Sequence, residues 1–400
     1  MKDSILSCII GVILLLFSNI TVSSATNSHI SSAYDSVRVS LLTCSSHPEV
    51  YSLYGHTAIR YQNLATGQDF AINYGVFDFS DKWFIPKFTF GIADYSMGIV
   101  PFYYFESEYR RYGSSITQQE INLTAEEKEA VSEALADNYL PQNRLYSYNC
   151  FYKNCSTMAR DIIVNSIDGK VVYPENNDKL SFRDMIHSCN NDYAWAKLGN
   201  DMVLGVGSDL NTTTEERHFL PENLMNSFDG AYIVDSEGNR RPLVKSKDIL
   251  LREGSQKAME GFPLSPMMCA GILFVLTIIV CISEVKRNRM SKWFDTLLMI
   301  VTGLAGIIIT VMFFSQHPST STNMLVFMLN PMPLFFIHNV FKADKNGNRC
   351  VWWKIWTVMS LLTLLSAFVQ DIDMSMIVVA VVILLRALLH LRYEKNLKIK

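Results

Sequence analysis

Apolar positions along this chain follow two different rhythms. From Pro266 onward they gather into long stretches at about 267–283, 294–314, 323–341, 351–369 and 374–391, each roughly long enough to cross ~30 Å of hydrocarbon. Five membrane spans are therefore predicted for residues 263–400. Before that point the rhythm is short. Val37–Cys44 alternates as a strand, and Thr57–Gln62 and Asp69–Tyr74 flank Ala65-Thr-Gly-Gln, which reads as a hairpin with His56 at the head of its first strand. Thr124-Ala-Glu-Glu127 forms a capping box, which opens a helix running to about Leu140, where Pro141 stops it. After an extended piece around Tyr146, a second helix is predicted over Cys155–Ser166 with Asn154 as its cap. Strands and helices without βαβ alternation predict an α+β fold with a mainly antiparallel sheet over residues 26–262. Lys247–Pro266, polar to mixed, reads as the linker to the first span.

The first 25 residues have the shape of a secretory signal. Lys2 precedes an apolar run from Ile5 to Phe17, and small residues follow through Val22-Ser-Ser-Ala25, so cleavage is expected near Ala25. Cys8 lies inside that run and is expected to leave with it. Basic residues between the spans set the orientation. Lys286, Arg287, Arg289 and Lys292 follow the first span, Lys342, Lys345, Arg349 and Lys354 flank the third and fourth, and Arg392, Lys395, Lys398 and Lys400 close the chain. Ser315–Thr322 and Gln370–Asp373 carry none. The positive-inside rule then puts the C-terminus in the cytoplasm and residues 26–262 on the exported side.

Composition changes this picture little. A chain with 49% hydrophobic and 18% charged residues is too apolar for an ordinary soluble enzyme, and the spans account for the excess. A net charge of −3, with the basic clusters explained by topology, argues against nucleic acid as a partner. Cys44, Cys150, Cys155 and Cys189 fall in an oxidising compartment, where one bridge, such as Cys44 to Cys189, fits without being assigned by spacing. Cys150 and Cys155 make a poor metal signal, because no second pair or histidine cluster follows at zinc-site spacing. No metal or dissociable cofactor is called for.

Cys155 is the residue whose predicted setting carries chemistry. A thiol titrates near ~8.5, and lower when it lies at a helix N-terminus beside an imidazolium. Cys155 has the first feature, and His56 could supply the second. Such a thiolate attacks a carbonyl to give a thioester, which an amine or water resolves, while helix-start amides stabilise the oxyanion. Asn73, on the neighbouring strand, is the first candidate to orient the imidazole, and Asp78 the second. Set against this, a lone histidine is more often a hydrogen-bonded surface residue, and a lone cysteine a small buried hydrophobe.

Gly55-His56 at a strand start followed by Asn154-Cys155 at a helix start resembles the circularly permuted papain-like thiol enzymes related to lecithin:retinol acyltransferase. A longer set of motifs is similar to the Lnb lipoprotein N-acyltransferases of Bacteroides and their relatives. It comprises Leu41-Leu-Thr-Cys44, Tyr51-Ser-Leu-Tyr-Gly-His56-Thr-Ala-Ile-Arg60, Asn73-Tyr-Gly-Val-Phe-Asp78, Asn154-Cys155-Ser-Thr-Met-Ala-Arg160-Asp161, Gly205-Val-Gly-Ser-Asp209 and Phe219-Leu-Pro221. The resemblance implies Cys155 as nucleophile, His56 as base, membrane phospholipid or another acyl glyceride as acyl donor, and the α-amine of diacylglyceryl-cysteine lipoproteins as acceptor. A membrane-bound thiol phospholipase, or an amidase or peptidase, would share the two residues. A non-enzymatic envelope sensor or assembly factor would need neither.

Other positions divide between chemistry and architecture. Tyr54 and Asn154, next to the two central residues, are candidate substrate contacts. Asp209 either lines the site or belongs to a Gly-rich turn. His317 and Asn323, on the outer side between the second and third spans, are candidates for holding a lipid headgroup. Arg60, Arg160 and Asp161 read as structural ion pairs. The aromatic-rich stretch from Trp83 to Tyr109 supplies core and, at a lipid-facing enzyme, membrane contact. Asn330-Pro331-Met-Pro333 interrupts the third span and must leave carbonyls that need partners.

Overall fold

A computed structural model describes residues 34–77, 80–175, 178–256, 261–345 and 350–397, so the signal segment expected from the sequence and Asp78 lie outside the described residues. The N-terminal domain contains strands β1 (Val37–Cys44), β2 (His56–Asn63), β3 (Gln68–Val76), β4 (Asp94–Pro101), β5 (Ile116–Ile121), β6 (Leu145–Ser147), β7 (Lys170–Val172), β8 (Tyr232–Val234), β9 (Arg240–Pro242) and β10 (Val244–Leu251). Seven of them form one sheet in the order β10-β5-β1-β2-β3-β4-β6, every neighbour antiparallel, and β7-β8-β9 form a second, smaller one. Helices α1 (Phe84–Thr89), α2 (Phe102–Tyr112), α3 (Ala125–Tyr139), α4 (Cys155–Asn165), α5 (Phe182–Asn190), α6 (Ala194–Val203) and α7 (Pro221–Gly230) surround the sheets.

Alternation along β1 sorts the large sheet into two buried faces. Val37, Val39 and Leu41 point to one side, where Val131 of α3, Ile163 of α4 and Phe228 of α7 complete the main core. Leu42 and Cys44 point to the other, against Phe102 and Phe105 of α2. Thr124 caps α3 through the expected box, its side chain accepting from Glu127 N–H while the Glu127 carboxylate accepts from Thr124 N–H at 2.8 Å. Arg60 pairs with Asp69 at 2.6 Å and Arg160 with Asp161 at 2.7 Å, both as architecture.

Two expectations fail here. Lys247–Leu251 does not begin the linker but completes the edge strand β10, with Lys247 opposite Gln119 and Leu251 opposite Ile116. An edge strand exposes one flank and carries charged side chains, so its sequence reads as polar linker. The Cys44–Cys189 bridge is also absent, and both thiols are free. Cys44 faces α2 at the end of β1, while Cys189 on α5 packs in a separate cluster around Phe151 and Phe182.

The register places Cys44, His56, Val76, Asp94, Ile116 and Leu251 at one common end of the sheet. From that end the chain leaves Leu251 for the helical domain, made of α8 (Pro266–Arg287), α9 (Lys292–Phe313), α10 (Met332–Lys345), α11 (Trp352–Ser366) and α12 (Met374–Leu397). Among the described residues, four segments, Pro266–Arg287, Lys292–Phe313, Met324–Ala343 and Met374–Tyr393, are long and apolar enough to cross a membrane. The fifth apolar helix, α11, is 15 residues long, or about 22 Å. The third span is broken before Pro331, where the Asn330 side chain donates to Val326 and Phe327 carbonyls at 3.0 Å each and accepts from Met332 N–H. It satisfies the backbone groups that the break would otherwise leave bare in hydrocarbon.

A buried ionic knot ties three helices. Arg386 of α12 donates to Asp295 of α9 at 2.8 Å and to Glu284 of α8 at 2.9 Å, and His390 lies 2.7 Å from the same Asp295. Removing one member would strand a buried charge. Helix α9 meets the break in the third span tightly at Gly306, where a Cβ would lie 2.2 Å from the Asn330 backbone nitrogen, whereas a Cβ at Gly271 would meet nothing within 4 Å. Gly306→Ala is therefore expected to lower the thermal unfolding midpoint of the purified protein in detergent, by overpacking of about 1–3 kcal/mol, and Gly271→Ala to leave it unchanged or raised. Equal midpoints for the two variants would contradict the packing described.

Candidate active site

The start of α4 is built by one side chain. Asn154 Oδ1 accepts from Ser156 and Thr157 N–H, both at 3.0 Å, and its Nδ2 donates to the carbonyls of Cys150 at 2.9 Å and Phe219 at 2.8 Å. Thr157 Oγ1 accepts from Asn154 N–H at 2.9 Å, closing a capping box. The cap fixes Cys155 at the first helical position. As the first helical residue, its N–H has no carbonyl partner within the helix and lies at the positive end of the helix dipole. Thr57 Oγ1 and Ser156 Oγ, both fully buried, meet at 2.8 Å and tie this helix start to β2.

On the sheet, Gly55 sets up His56. It adopts φ +74°, and a Cβ there would lie 2.7 Å from the Cys44 carbonyl, so only glycine lets β2 begin so tightly against β1. His56 then stands directly opposite Cys44. Ala58 faces Asn73 across the β2–β3 pair, which leaves His56 and Asn73 as diagonal neighbours on one face. Asn73 Oδ1 lies 2.9 Å from His56 Nε2 and accepts its proton, so Nδ1 is the ring nitrogen left for the Cys155 thiol. The Tyr109 ring stacks over the imidazole at 6.4 Å.

Electrostatics follow from this packing. Burial opposes charge on both partners, but each overcomes it through the other. The charge of His56 and its hydrogen bond, with help from Thr57 N–H and the Ser156 hydroxyl, hold the Cys155 thiol below its ordinary value. Burial likewise works against the imidazolium, yet the charge and hydrogen bond of Cys155, then Asn73 and Glu108, raise His56. Both shifts favour the thiolate–imidazolium form of the pair. The other thiols of the domain behave oppositely: burial pushes Cys150 up to about 12 and raises Cys44 and Cys189. Cys44 shares a hydrogen bond with the Tyr109 hydroxyl, which keeps it turned toward α2.

The structure brings Cys155, His56 and Asn73 together and places the remaining sequence candidates elsewhere. Asn154 is wholly committed to the cap. Tyr54 packs with the Phe151–Phe182 cluster, its hydroxyl accepting from Asn200 Nδ2 at 2.5 Å. Asp209 accepts from Arg183 Nε at 2.5 Å and from Asp371 N–H at 3.2 Å. Asn323 donates to the Met202 carbonyl at 2.7 Å and accepts from Gln370 Nε2 at 3.2 Å. His317 donates through Nε2 to the Phe88 carbonyl at 2.6 Å, and burial lowers its pKa. Asp209, Asn323 and His317 thus fasten the N-terminal domain to the turns between helices. The glycines preceding Asp209 serve the same joint, since a Cβ at Gly205 would lie 2.5 Å from the Ser319 carbonyl. Tyr109, Cys44 and the Thr57–Ser156 tie escaped the sequence reading. Tyr109 was hidden in an aromatic-rich run, and only the pairing of Cys44 with His56 marks that cysteine.

Two family models match the chain. The Lnb N-terminal periplasmic domain matches residues 27–184, and the Lnb transmembrane domain matches residues 257–398. No match was found among curated proteins or among solved structures.

Because Cys155 alone among the four thiols of the N-terminal domain has a lowered pKa, iodoacetamide at pH 6.5 is expected to label it selectively. Its labelling rate should fall, as the thiolate is protonated, only at a lower pH than that of an ordinary thiol. In His56→Ala the counter-charge is gone and burial prevails, so the profile should move above the ordinary ~8.5. Peptide mapping of the alkylated protein checks this, and indistinguishable profiles for parent and variant would contradict the ion pair.

Proposed function

This chain belongs to the Lnb family, and we propose that it is an inner-membrane lipoprotein N-acyltransferase whose periplasmic domain works through a cysteine thioester. The observation that carries this reading is the half-buried Cys155–His56–Asn73 array at the end of the sheet from which the chain leaves for the helical domain. Basic residues at the helix ends favour a cytoplasmic C-terminus, which leaves the array on the outer side.

In the first half-reaction the Cys155 thiolate attacks an ester carbonyl of a membrane phospholipid or other acyl glyceride. The negative charge on the carbonyl oxygen is met by the Cys155 N–H and the N-terminus of α4. As the tetrahedral species collapses, the ester C–O bond breaks and His56 Nδ1–H protonates the departing alcohol. The thioester and a neutral imidazole remain. In the second half, the neutral α-amine of a diacylglyceryl-cysteine attacks the thioester and gives its proton to His56. The C–S bond breaks, and the thiolate–imidazolium pair is restored with the amide formed. Asn73 keeps Nε2–H engaged throughout and so holds the ring in one orientation. Aminolysis prevails over hydrolysis to the extent that the membrane-facing setting excludes water.

Intact mass spectrometry of a reporter lipoprotein tests the proposal in cells that lack N-acylation. Expression of the parent is expected to add one acyl chain to the reporter, Cys155→Ala to add none, and His56→Gln to slow the gain by roughly 10²–10⁴-fold. Release of free fatty acid without a gain on the reporter would replace the transferase reading with a hydrolase. Neither product from a well-expressed parent would leave a binding protein.

A further inference from the structure

Helix α1 and its flanks form an apolar surface that the N-terminal domain does not cover. Trp83 is 68% exposed and Ile85 73%, and Phe88, Phe90 and Ile92 are each more than two-fifths exposed. Contiguous exposure of this kind is rare on a domain surrounded only by water. The segment joins the Val76 end of β3 to the Asp94 end of β4, so it shares the sheet end that carries His56.

Backbone contacts fix its height against the membrane. Gln316 N–H donates to the Phe90 carbonyl at 2.9 Å, and His317 Nε2 to the Phe88 carbonyl at 2.6 Å. Gly91 adopts φ +70°, and a Cβ there would lie 2.8 Å from His317 N, so the two segments meet backbone to backbone. Gln316 lies three residues past Phe313, the last helical residue of the second span. That places α1 where the span leaves hydrocarbon. Phe314, 75% exposed, continues the apolar face of the span toward it. Lys87, paired with Asp81 at 2.8 Å, gives the segment a cation at headgroup level. By contrast Tyr103 and Tyr104 follow Pro101 at the opposite end of β4, and Phe102 and Phe105 are core.

The geometry points to α1 as an interfacial anchor: its apolar face is seated in the outer leaflet, and its occupant is lipid hydrocarbon. A short helix that begins after an exposed Trp83 and turns Ile85 and Phe88 outward is suited to that depth. On the proposed function above, the anchor sets the height of Cys155 relative to the donor's ester carbonyls.

Brominated lipids test the seat directly. The full-length protein and its Trp83→Phe variant are reconstituted in dioleoylphosphatidylcholine vesicles, with or without the 6,7-brominated lipid, and the Trp83 emission is obtained by difference. Blue-shifted emission quenched by bromine but not by aqueous iodide is expected. Emission quenched by iodide alone, or by neither reagent, would overturn the anchor. In a second arm, Ile85→Glu is expected to slow acylation of Cys155 by vesicle phospholipid roughly tenfold while leaving its alkylation by iodoacetamide unchanged. Equal acylation of parent and variant would count against the anchor. If the parent acquires no acyl group at all, the transferase reading fails while the quenching still decides the surface.

Discussion

A buried thiolate survives only if a cation is held against it more firmly than burial pushes the proton back. That constraint governs the N-terminal domain. Burial acts against charge on both Cys155 and His56, and the charged form of each is favoured chiefly by the charge and hydrogen bond of the other. The imidazole must therefore be placed by the sheet and the sulfur by the helix, and both placements must be stiff. Gly55 packed on the Cys44 carbonyl and Asn73 on Nε2 provide the first. The Asn154 cap and the Thr57–Ser156 contact provide the second. Side chains of one strand, its neighbour and one helix start are all the pair requires.

The same sheet end faces the helical domain, and several polar side chains hold it there. Arg183 is buried between Asp201 and Asp209, and Asp209 reaches onward to the backbone of Asp371. Asn323 and Gln370 bond to each other and to the carbonyls of Met202 and Leu204. Ser208 meets Ser319 at 2.6 Å. Buried polar groups of this kind are costly when unpaired, so the joint favours one relative placement of the two domains. A rigid joint suits chemistry in which one substrate is confined to a leaflet.

Legibility in the sequence tracked the distance over which each feature is decided. Asn154-Cys155 could be read because a helix cap is chemistry between neighbours, and the Thr124–Glu127 box for the same reason. The β2–β3 hairpin followed from Ala65-Thr-Gly-Gln, and once it was drawn, Asn73 came within reach of His56. The break at Asn330-Pro331 announced itself through proline. His317 and Asn323 were read as lying near the N-terminal domain, but their partners, like those of Asp209, come from across the joint and no local pattern reveals them. Strand β10 was missed because an exposed edge looks like a linker, and the disulfide because four irregularly spaced cysteines do not specify a pairing. The ionic knot of Arg386, Asp295 and Glu284 lay inside runs read only for hydropathy.

The central claim is that the acyl chain passes through the Cys155 sulfur, and intact mass of the enzyme itself tests it most directly. Purified protein incubated with phospholipid vesicles in the absence of acceptor should gain one acyl group on Cys155. Neutral hydroxylamine should remove that group, and a diacylglyceryl-cysteine peptide should discharge it with appearance of the N-acylated peptide. Acylation of the peptide by an enzyme that never carries the group, or by the Cys155→Ala form, would contradict the account.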